Sequence, residues 1–158
     1  MSHASRLSTV VAALTLLGAA SLASSTASTS PASADPENPD AEAIRQVITS
    51  AYVEGLHMNG SRDAIRAGFH PDFVMKVLTE DGITDVTIEE WIARLPAEGT
   101  TPSHTVDHDI PDVGISGVAA VARVEILFDG RHVFTDYMSL YKFGDDWRIV
   151  AKIFNRED

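Results

Sequence analysis

The side chains best suited to chemistry lie in the C-terminal half of the chain, among apolar neighbours. Asp136 falls within an apolar run, and the Asp129-Gly130 turn signal predicts that it faces Arg123 across two antiparallel strands. A carboxylate in such surroundings either forms a structural cross-strand ion pair or anchors a ligand and has a shifted pKa. Both interpretations remain open, and Arg123 and Asp136 are therefore candidate ligand-binding residues.

Three further side chains could contribute to a site. His70 precedes Pro71 at the predicted end of a helix, where it either caps the helix or opens on a cavity. If His70 and Asp136 converged within hydrogen-bonding reach, they could act as a general acid–base pair. Tyr52 and Trp91 are interpreted as core aromatics with polar tips, or as ligand contacts.

Other motifs exclude several classes of mechanism. His104 and His108 would lie roughly 13 Å apart on one strand, too far for a single metal ion. Lys152 is interpreted as a solvated or ion-paired strand residue rather than a Schiff-base nucleophile. The chain has no cysteine, no G-x-S-x-G motif and no phosphate-binding glycine loop. We therefore predict no metal and no cofactor.

The first residues resemble an export signal rather than part of the fold. A basic start with Arg6 precedes an apolar run, which is followed by small residues. Residues 1–34 are predicted to be a signal peptide cleaved after Ala34, with Ala23 and Ala27 as alternative cleavage sites. We therefore expect a periplasmic or extracellular protein, without stable membrane insertion after cleavage.

The rest of the chain is strongly acidic. All 23 acidic residues and 11 of the 12 basic residues lie after Ala34, which gives this part a formal net charge of −12. Nucleic acids and anionic membranes both favour basic surfaces, so neither is a predicted partner. Residues 35–40 are expected to form a disordered lead, and residues 41–156 a single domain large enough to bury its own core.

The elements that must position these side chains follow from capping and periodicity. Asn38-Pro39 predicts the start of a long helix that ends at Asn59-Gly60. Ser61 caps a second helix, and a capping box at Thr87 begins a third. Strands are expected near residues 73–78, 83–86, 104–109, 118–128, 131–143 and 147–155. This order predicts an α+β fold in which three helices pack on a curved antiparallel sheet shaped like a cone.

Turn chemistry also predicts which residues share a face of the sheet. One face is expected to hold Phe134, Met138, Leu140, Trp147, Ile149 and Ile153, with Arg123 and Asp136 among them. The other is expected to hold Val118, Ala120, Ala122, Val124, Ile126, Val133, Tyr137 and Tyr141. Because both faces are mostly apolar, the helices should cover one and a second copy of the chain the other. This predicts a homodimer with Tyr137 and Tyr141, or residues of the opposite face, in contact.

The chain resembles the nuclear transport factor 2-like superfamily, and within it the subgroup called putative lumazine-binding. The residues that carry the resemblance are Tyr52, Phe69-His70-Pro71-Asp72, Phe134-Thr135-Asp136-Tyr137 and the C-terminal segment from Gly144 to Phe154. The resemblance covers about residues 41–154. It implies the cone-shaped fold and a small ligand in its cavity.

Enzymes occur in the same superfamily, including ketosteroid isomerases, dehydratases and polyketide cyclases. Tyr52 matches the helix-one tyrosine of the isomerases, but their general base falls at or beside Val77 and their second acid near Ser139. These departures argue against steroid isomerisation. The leading hypothesis is an exported protein that binds a small, mostly apolar molecule. The alternatives are an acid–base enzyme using His70 and Asp136, and a homodimeric interaction module without a ligand.

Overall fold

A computed structural model describes residues 38–157 of the 158-residue chain. Helix α1 (Pro39–Val47) continues directly into a π-helical segment (Ile48–His57), and α2 (Arg62–Gly68) follows. Helix α3 (Ile88–Arg94) lies between the second and third strands. The predicted signal peptide and residues 35–37 of the predicted lead lie outside the described residues.

Local chemistry fixes where the helices begin. The Asn38 side chain accepts a hydrogen bond from the Asp40 backbone N–H, and Pro39 occupies the first turn. Ser61 caps α2, and Thr87 with Glu90 forms the reciprocal capping box of α3. All three predicted helix starts are therefore confirmed.

The π-helical segment was not predicted, because the apolar spacing in it also fits an α-helix. In its last turn the Met58 N–H donates to the carbonyl of Val53, five residues earlier, over 2.9 Å. This five-residue spacing is the hydrogen-bond pattern of a π-helix. A π-helix is rare and is frequently found at functional sites. Gly68 lets α2 pack closely, because a Cβ there would lie 2.3 Å from the Cβ of Ala51 in the π-helical segment.

Six strands form one curved, unclosed sheet, so the α+β class is confirmed. The strands are β1 (Phe69–Thr79), β2 (Gly82–Thr87), β3 (Val106–Ser116), β4 (Ala119–Phe128), β5 (Arg131–Phe143) and β6 (Asp146–Arg156). Their order is β2-β1-β6-β5-β4-β3. The prediction of a wholly antiparallel sheet is wrong, because β1 runs parallel to β6. This pairing joins strands from opposite ends of the domain. No turn connects them directly, so turn residues could not predict it.

Two irregularities in the strands correct the predicted register. The pairing of β4 with β5 shifts by one residue between Ile126 and Leu127, so Arg123 faces Tyr137 and Asp136 faces Val124. A second shift, in the pairing of β5 with β6, lies between the pairs Ser139–Ala151 and Leu140–Ile149. The predicted Arg123–Asp136 pair is therefore wrong, since one extra residue in a strand exchanges its two faces.

The corrected register regroups the two faces of the sheet. The inner face packs against the helices and includes Ala120, Ala122, Val124, Ile126, Asp136, Met138, Leu140, Trp147, Ile149 and Lys152. The outer face exposes Val121, Arg123, Tyr137, Tyr141 and Ile153, whereas Val118 lies in the turn between β3 and β4. Ala120, Ala122, Val124 and Ile126 of β4 thus share a face with Met138 and Leu140, contrary to the prediction. Ile153, which was expected on that same face, is 55% exposed.

Candidate functional site

Three polar side chains from three elements meet in the apolar interior. Lys152 of β6 forms an ion pair with Asp136 of β5, and both residues are buried. The Tyr52 hydroxyl, from the π-helical segment, donates to the other carboxylate oxygen of Asp136. Lys152 Nζ also donates to the Tyr52 hydroxyl oxygen over 3.2 Å. The three side chains form a closed hydrogen-bonded triangle, which we call the Tyr–Asp–Lys network.

Aromatic rings surround the ammonium of this network. Lys152 Nζ lies 4.4 Å from the ring centroid of Phe154, 5.2 Å from that of Tyr52 and 5.4 Å from that of Trp91. Ring faces at such distances attract a cation, more strongly where water is excluded. The ammonium is therefore held both by a carboxylate and by three rings.

Burial changes the protonation chemistry of the network. It raises the pKa of Tyr52 well above the ordinary value, and the charge of Asp136 adds to this effect. Burial lowers the pKa of Lys152, whereas the charge and hydrogen bond of Asp136 oppose that change. Tyr52 consequently remains a neutral hydrogen-bond donor at physiological pH.

His57 joins this cluster because of the π-helical backbone. Its ring centroid lies 4.7 Å from that of Tyr52, five residues earlier, in an edge-to-face contact. In an α-helix, five residues turn through about 500°, which would place His57 roughly 140° away from Tyr52. Burial and the nearby charge of Lys152 lower the pKa of His57 to about 3, so the imidazole is neutral. Its buried Nε2 has no hydrogen-bond partner within residues 38–157.

A pocket of about 140 Å³ opens beside the network. The side chains that line it are Tyr52, His57, Met75, Trp91, Phe134, Lys152 and Phe154. A larger groove of about 430 Å³ lies on the outer face, between residues such as Arg123, Tyr137 and Ile153. We take the smaller space as the candidate site, because Tyr52, His57 and Lys152 all line it, whereas only Lys152 of these three also lines the groove.

The structure brings together only some of the predicted site residues. Tyr52, Trp91 and Asp136 belong to the pocket or to the network beneath it. Arg123 lies on the outer face, 42% exposed, and its guanidinium lies 3.6 Å from a carboxylate oxygen of Glu125. Arg123 is therefore not a residue of the inner pocket.

His70 lies away from Asp136. Its ring stacks on Phe143 with centroids 4.7 Å apart, and its Nδ1 accepts from the backbone N–H of Asp72 over 3.2 Å. Asp136 instead bonds to Tyr52 and Lys152. The predicted convergence of His70 with Asp136 is not found.

Two polar residues of the site, Lys152 and His57, were not among the predicted site residues. The sequence did indicate that Lys152 is unusual, because it is a lysine inside the apolar run Ile149 to Phe154. Its ionic partner could not be identified, because the strand register was predicted wrongly. Nothing in the sequence indicated His57, because helical periodicity places it on another face. The structure confirms Lys152 as ion-paired and contradicts the alternative that it is solvated.

The part of the chain that the structure describes contains neither a cluster of metal-binding side chains nor a membrane-spanning helix. Within residues 38–157, no group of three or more His, Asp or Glu side chains is placed to hold a metal ion. No helix in this part of the chain has the length and apolar character needed to cross a membrane.

Comparisons with solved structures show the fold. A nuclear transport factor 2-like protein of unknown function from Shewanella baltica OS155 has a TM-score of 0.62 at 22% identity, over 79% of this chain and 99% of that one. A similar protein from Silicibacter pomeroyi DSS-3 has a TM-score of 0.60 at 21% identity, over 75% and 97%. The CaMKII hub of S. rosetta has a TM-score of 0.51 at 14% identity, over 73% and 95%.

A comparison with family models extends the similarity to the sequence. No curated protein matches the chain. The model of the family described as "Putative lumazine-binding" matches residues 39–155, from the first turn of α1 to the end of β6. The chain therefore belongs to this family, within the nuclear transport factor 2-like superfamily.

Proposed function

We propose that this domain binds a small, mostly apolar ring compound in the pocket between the π-helical segment and the inner face. The observation that carries the proposal is the Tyr–Asp–Lys network beside an open space with aromatic walls. A buried polar network needs every member satisfied, and one that borders an unfilled pocket can complete its bonding with a ligand.

The volume of the pocket and the side chains that line it indicate which ligands it can hold. A cavity of about 150 Å³ admits benzene, so the space of about 140 Å³ beside Trp91 accommodates about one ring. The walls combine the edges and faces of Tyr52, Trp91 and Phe154, which favour offset or edge-to-face packing of a ring. Because the pocket opens to solvent, a larger molecule could insert one ring and leave the remainder outside.

Tryptophan fluorescence provides a direct test. Trp91 lines the pocket, whereas Trp147 is 2% exposed and donates to Asp40 at the start of α1. Titration with toluene, benzamide or lumazine should change the emission of Trp91 saturably. Trp91→Phe should remove this response, whereas Trp147→Phe should retain it. If none of the three compounds binds by fluorescence or calorimetry, the proposal is wrong.

Lumazine is included because the family description names it. It is a two-ring compound, so only one of its rings would fit within about 140 Å³. Binding of lumazine that is abolished by Met75→Trp, which fills the pocket, would place it there. A Val121→Trp variant on the outer face is the matched control.

We further propose that the domain is a homodimer joined through the outer face. Tyr137, Tyr141, Val121 and Ile153 are each about half exposed or more, on neighbouring strands of the sheet. Contiguous apolar surface of this kind marks an interface in a soluble protein. A second copy suits it, because a two-fold contact sets each apolar patch against itself. A monomer by light scattering at micromolar concentration would exclude the dimer.

Export remains part of the proposal, on the basis of residues 1–34 alone. Protein recovered from the periplasm or the medium should begin at Asp35 by mass spectrometry. Full-length protein confined to the cytoplasm would contradict export. An acid–base enzyme built on His70 and Asp136 has no support from the geometry, because the two side chains have separate partners.

A further inference from the structure

The ammonium of Lys152 has bonding capacity left over. It carries three N–H donors, of which one is directed to Asp136 and one to Tyr52. No third acceptor is found within residues 38–157, and the remaining surroundings of Nζ are ring faces. A ligand in the pocket can therefore supply an acceptor atom to Lys152.

The charge of this lysine, however, is already balanced. Asp136 provides one negative charge against the single positive charge of Lys152, and Tyr52 and His57 are neutral. A ligand carboxylate would bring an uncompensated charge into a mostly apolar pocket and would face the Asp136 carboxylate nearby. Both effects oppose binding. An uncharged carbonyl oxygen accepts from Lys152 without either cost.

His57 supplies a second, independent polar contact. Its Nε2 is buried and lacks a partner within the described part of the chain, although His57 lines the pocket. A buried nitrogen without a partner carries a desolvation cost that a ligand can relieve. A primary carboxamide offers both an acceptor and a donor, so it can satisfy Lys152 and either tautomer of His57.

We infer that the pocket selects uncharged aromatic carbonyl compounds, of which a carboxamide is the model, and rejects aromatic carboxylates of the same shape. Lys152 supplies the hydrogen bond, and Asp136 determines the charge that the pocket accepts. This inference rests on the proposed ligand-binding function. It runs against the simpler expectation that a lysine in a pocket recruits anions.

Benzamide and benzoate test the inference, because they differ in charge and hardly in size. At pH 7 the wild-type protein should bind benzamide about tenfold or more tightly than benzoate in calorimetric titrations. Asp136→Asn removes the negative charge that a bound carboxylate would face, so it should reduce or abolish the discrimination against benzoate. Asp85→Asn, which removes an exposed carboxylate paired with Lys76, should leave the preference unchanged.

Toluene separates the inference from the proposed function. If toluene binds but wild type binds benzoate as tightly as benzamide, the inference is wrong and the pocket still binds rings. If toluene, benzamide and benzoate all fail to bind, the proposed function itself fails. Should Asp136→Asn not fold, the double variant Lys152→Met, Asp136→Asn removes both charges together. It should lose most of the preference for benzamide over toluene, because only the contact with His57 remains, and an undiminished preference would overturn the role of Lys152.

Discussion

Asp136 and Tyr137 are neighbours in the chain and lie in opposite environments. Asp136 is fully buried on the inner face, bonded to Tyr52 and Lys152, whereas Tyr137 is 52% exposed on the outer face. The irregularity in β5 before Phe134 decides which of the two points inward. One residue of register therefore separates the candidate pocket from the proposed dimer surface.

The ion pairs of the two faces also differ in solvent exposure. Lys152 and Asp136 are 4% and 0% exposed, whereas Arg123 and Glu125 are 42% and 28% exposed. A buried pair contributes little net stability while it is intact, but breaking it leaves a charge in an apolar interior. An exposed pair is screened by water and contributes little in either case. The inner pair should therefore be far more sensitive to substitution.

The largest effect is expected for Lys152→Met. This change leaves the Asp136 carboxylate buried without its cation and should lower the free energy of unfolding by about 3–5 kcal/mol. Urea unfolding monitored by circular dichroism would measure the loss. The double variant Lys152→Met, Asp136→Asn should recover part of it. A single variant as stable as wild type would show that the pair is not desolvated in solution.

The next effect concerns His57, whose pKa of about 3 lies below the ordinary value of 6.5. The unfolded chain binds a proton that the folded chain does not, so stability is lost as the pH falls below about 6.5. Between pH 7 and pH 5 the free energy of unfolding should fall by about 2 kcal/mol on this account. His57→Leu should flatten the profile in that range. Identical profiles for variant and wild type would indicate that His57 is solvated.

How much the sequence predicts depends on how local each feature is. The helix starts at Asn38, Ser61 and Thr87 were predictable, because each cap lies within a few residues of the group it satisfies. The parallel pairing of β1 with β6 joins distant segments and has no local signal. The candidate site was predicted in part, since Tyr52, Trp91 and Asp136 belong to it.

The missed residues trace to backbone irregularities. A strand bulge gave Asp136 the partner Lys152 instead of Arg123, and a π-helical segment brought His57 beside Tyr52. Both irregularities change side-chain direction without changing the apolar spacing from which elements are inferred. Element order is thus readable from periodicity, whereas the composition of a pocket requires the register.

A smaller effect is expected for a charge placed on the outer face. Ile153→Lys should weaken the proposed dimer by about tenfold or more, because it buries an unpaired charge in an apolar contact. Sedimentation velocity over a concentration series would measure the change, and Trp91 fluorescence titration should show unchanged ligand binding. If Ile153→Lys abolished ligand binding and left the dimer intact, the two faces would have been assigned the wrong roles.

The smallest effect is expected for Arg123→Met, the outer counterpart of Lys152→Met. Its guanidinium lies 3.6 Å from a carboxylate oxygen of Glu125, and both side chains reach solvent. The free energy of unfolding of the monomer should change by no more than about 0.5 kcal/mol. A loss comparable with that of Lys152→Met would remove the proposed contrast between the faces.

The central claim is that a small ring binds beside Lys152 on the inner face, and the three lysines of the chain allow a direct measurement. Lys76 and Lys142 form exposed or half-exposed ion pairs, whereas Lys152 is buried at the pocket. In protein labelled with ¹³C and ¹⁵N at lysine, benzamide should shift the side-chain resonances of Lys152 saturably and leave those of the other two unchanged. Resonances of Lys152 that do not respond, or that move only as much as those of Lys76 and Lys142, would contradict the claim.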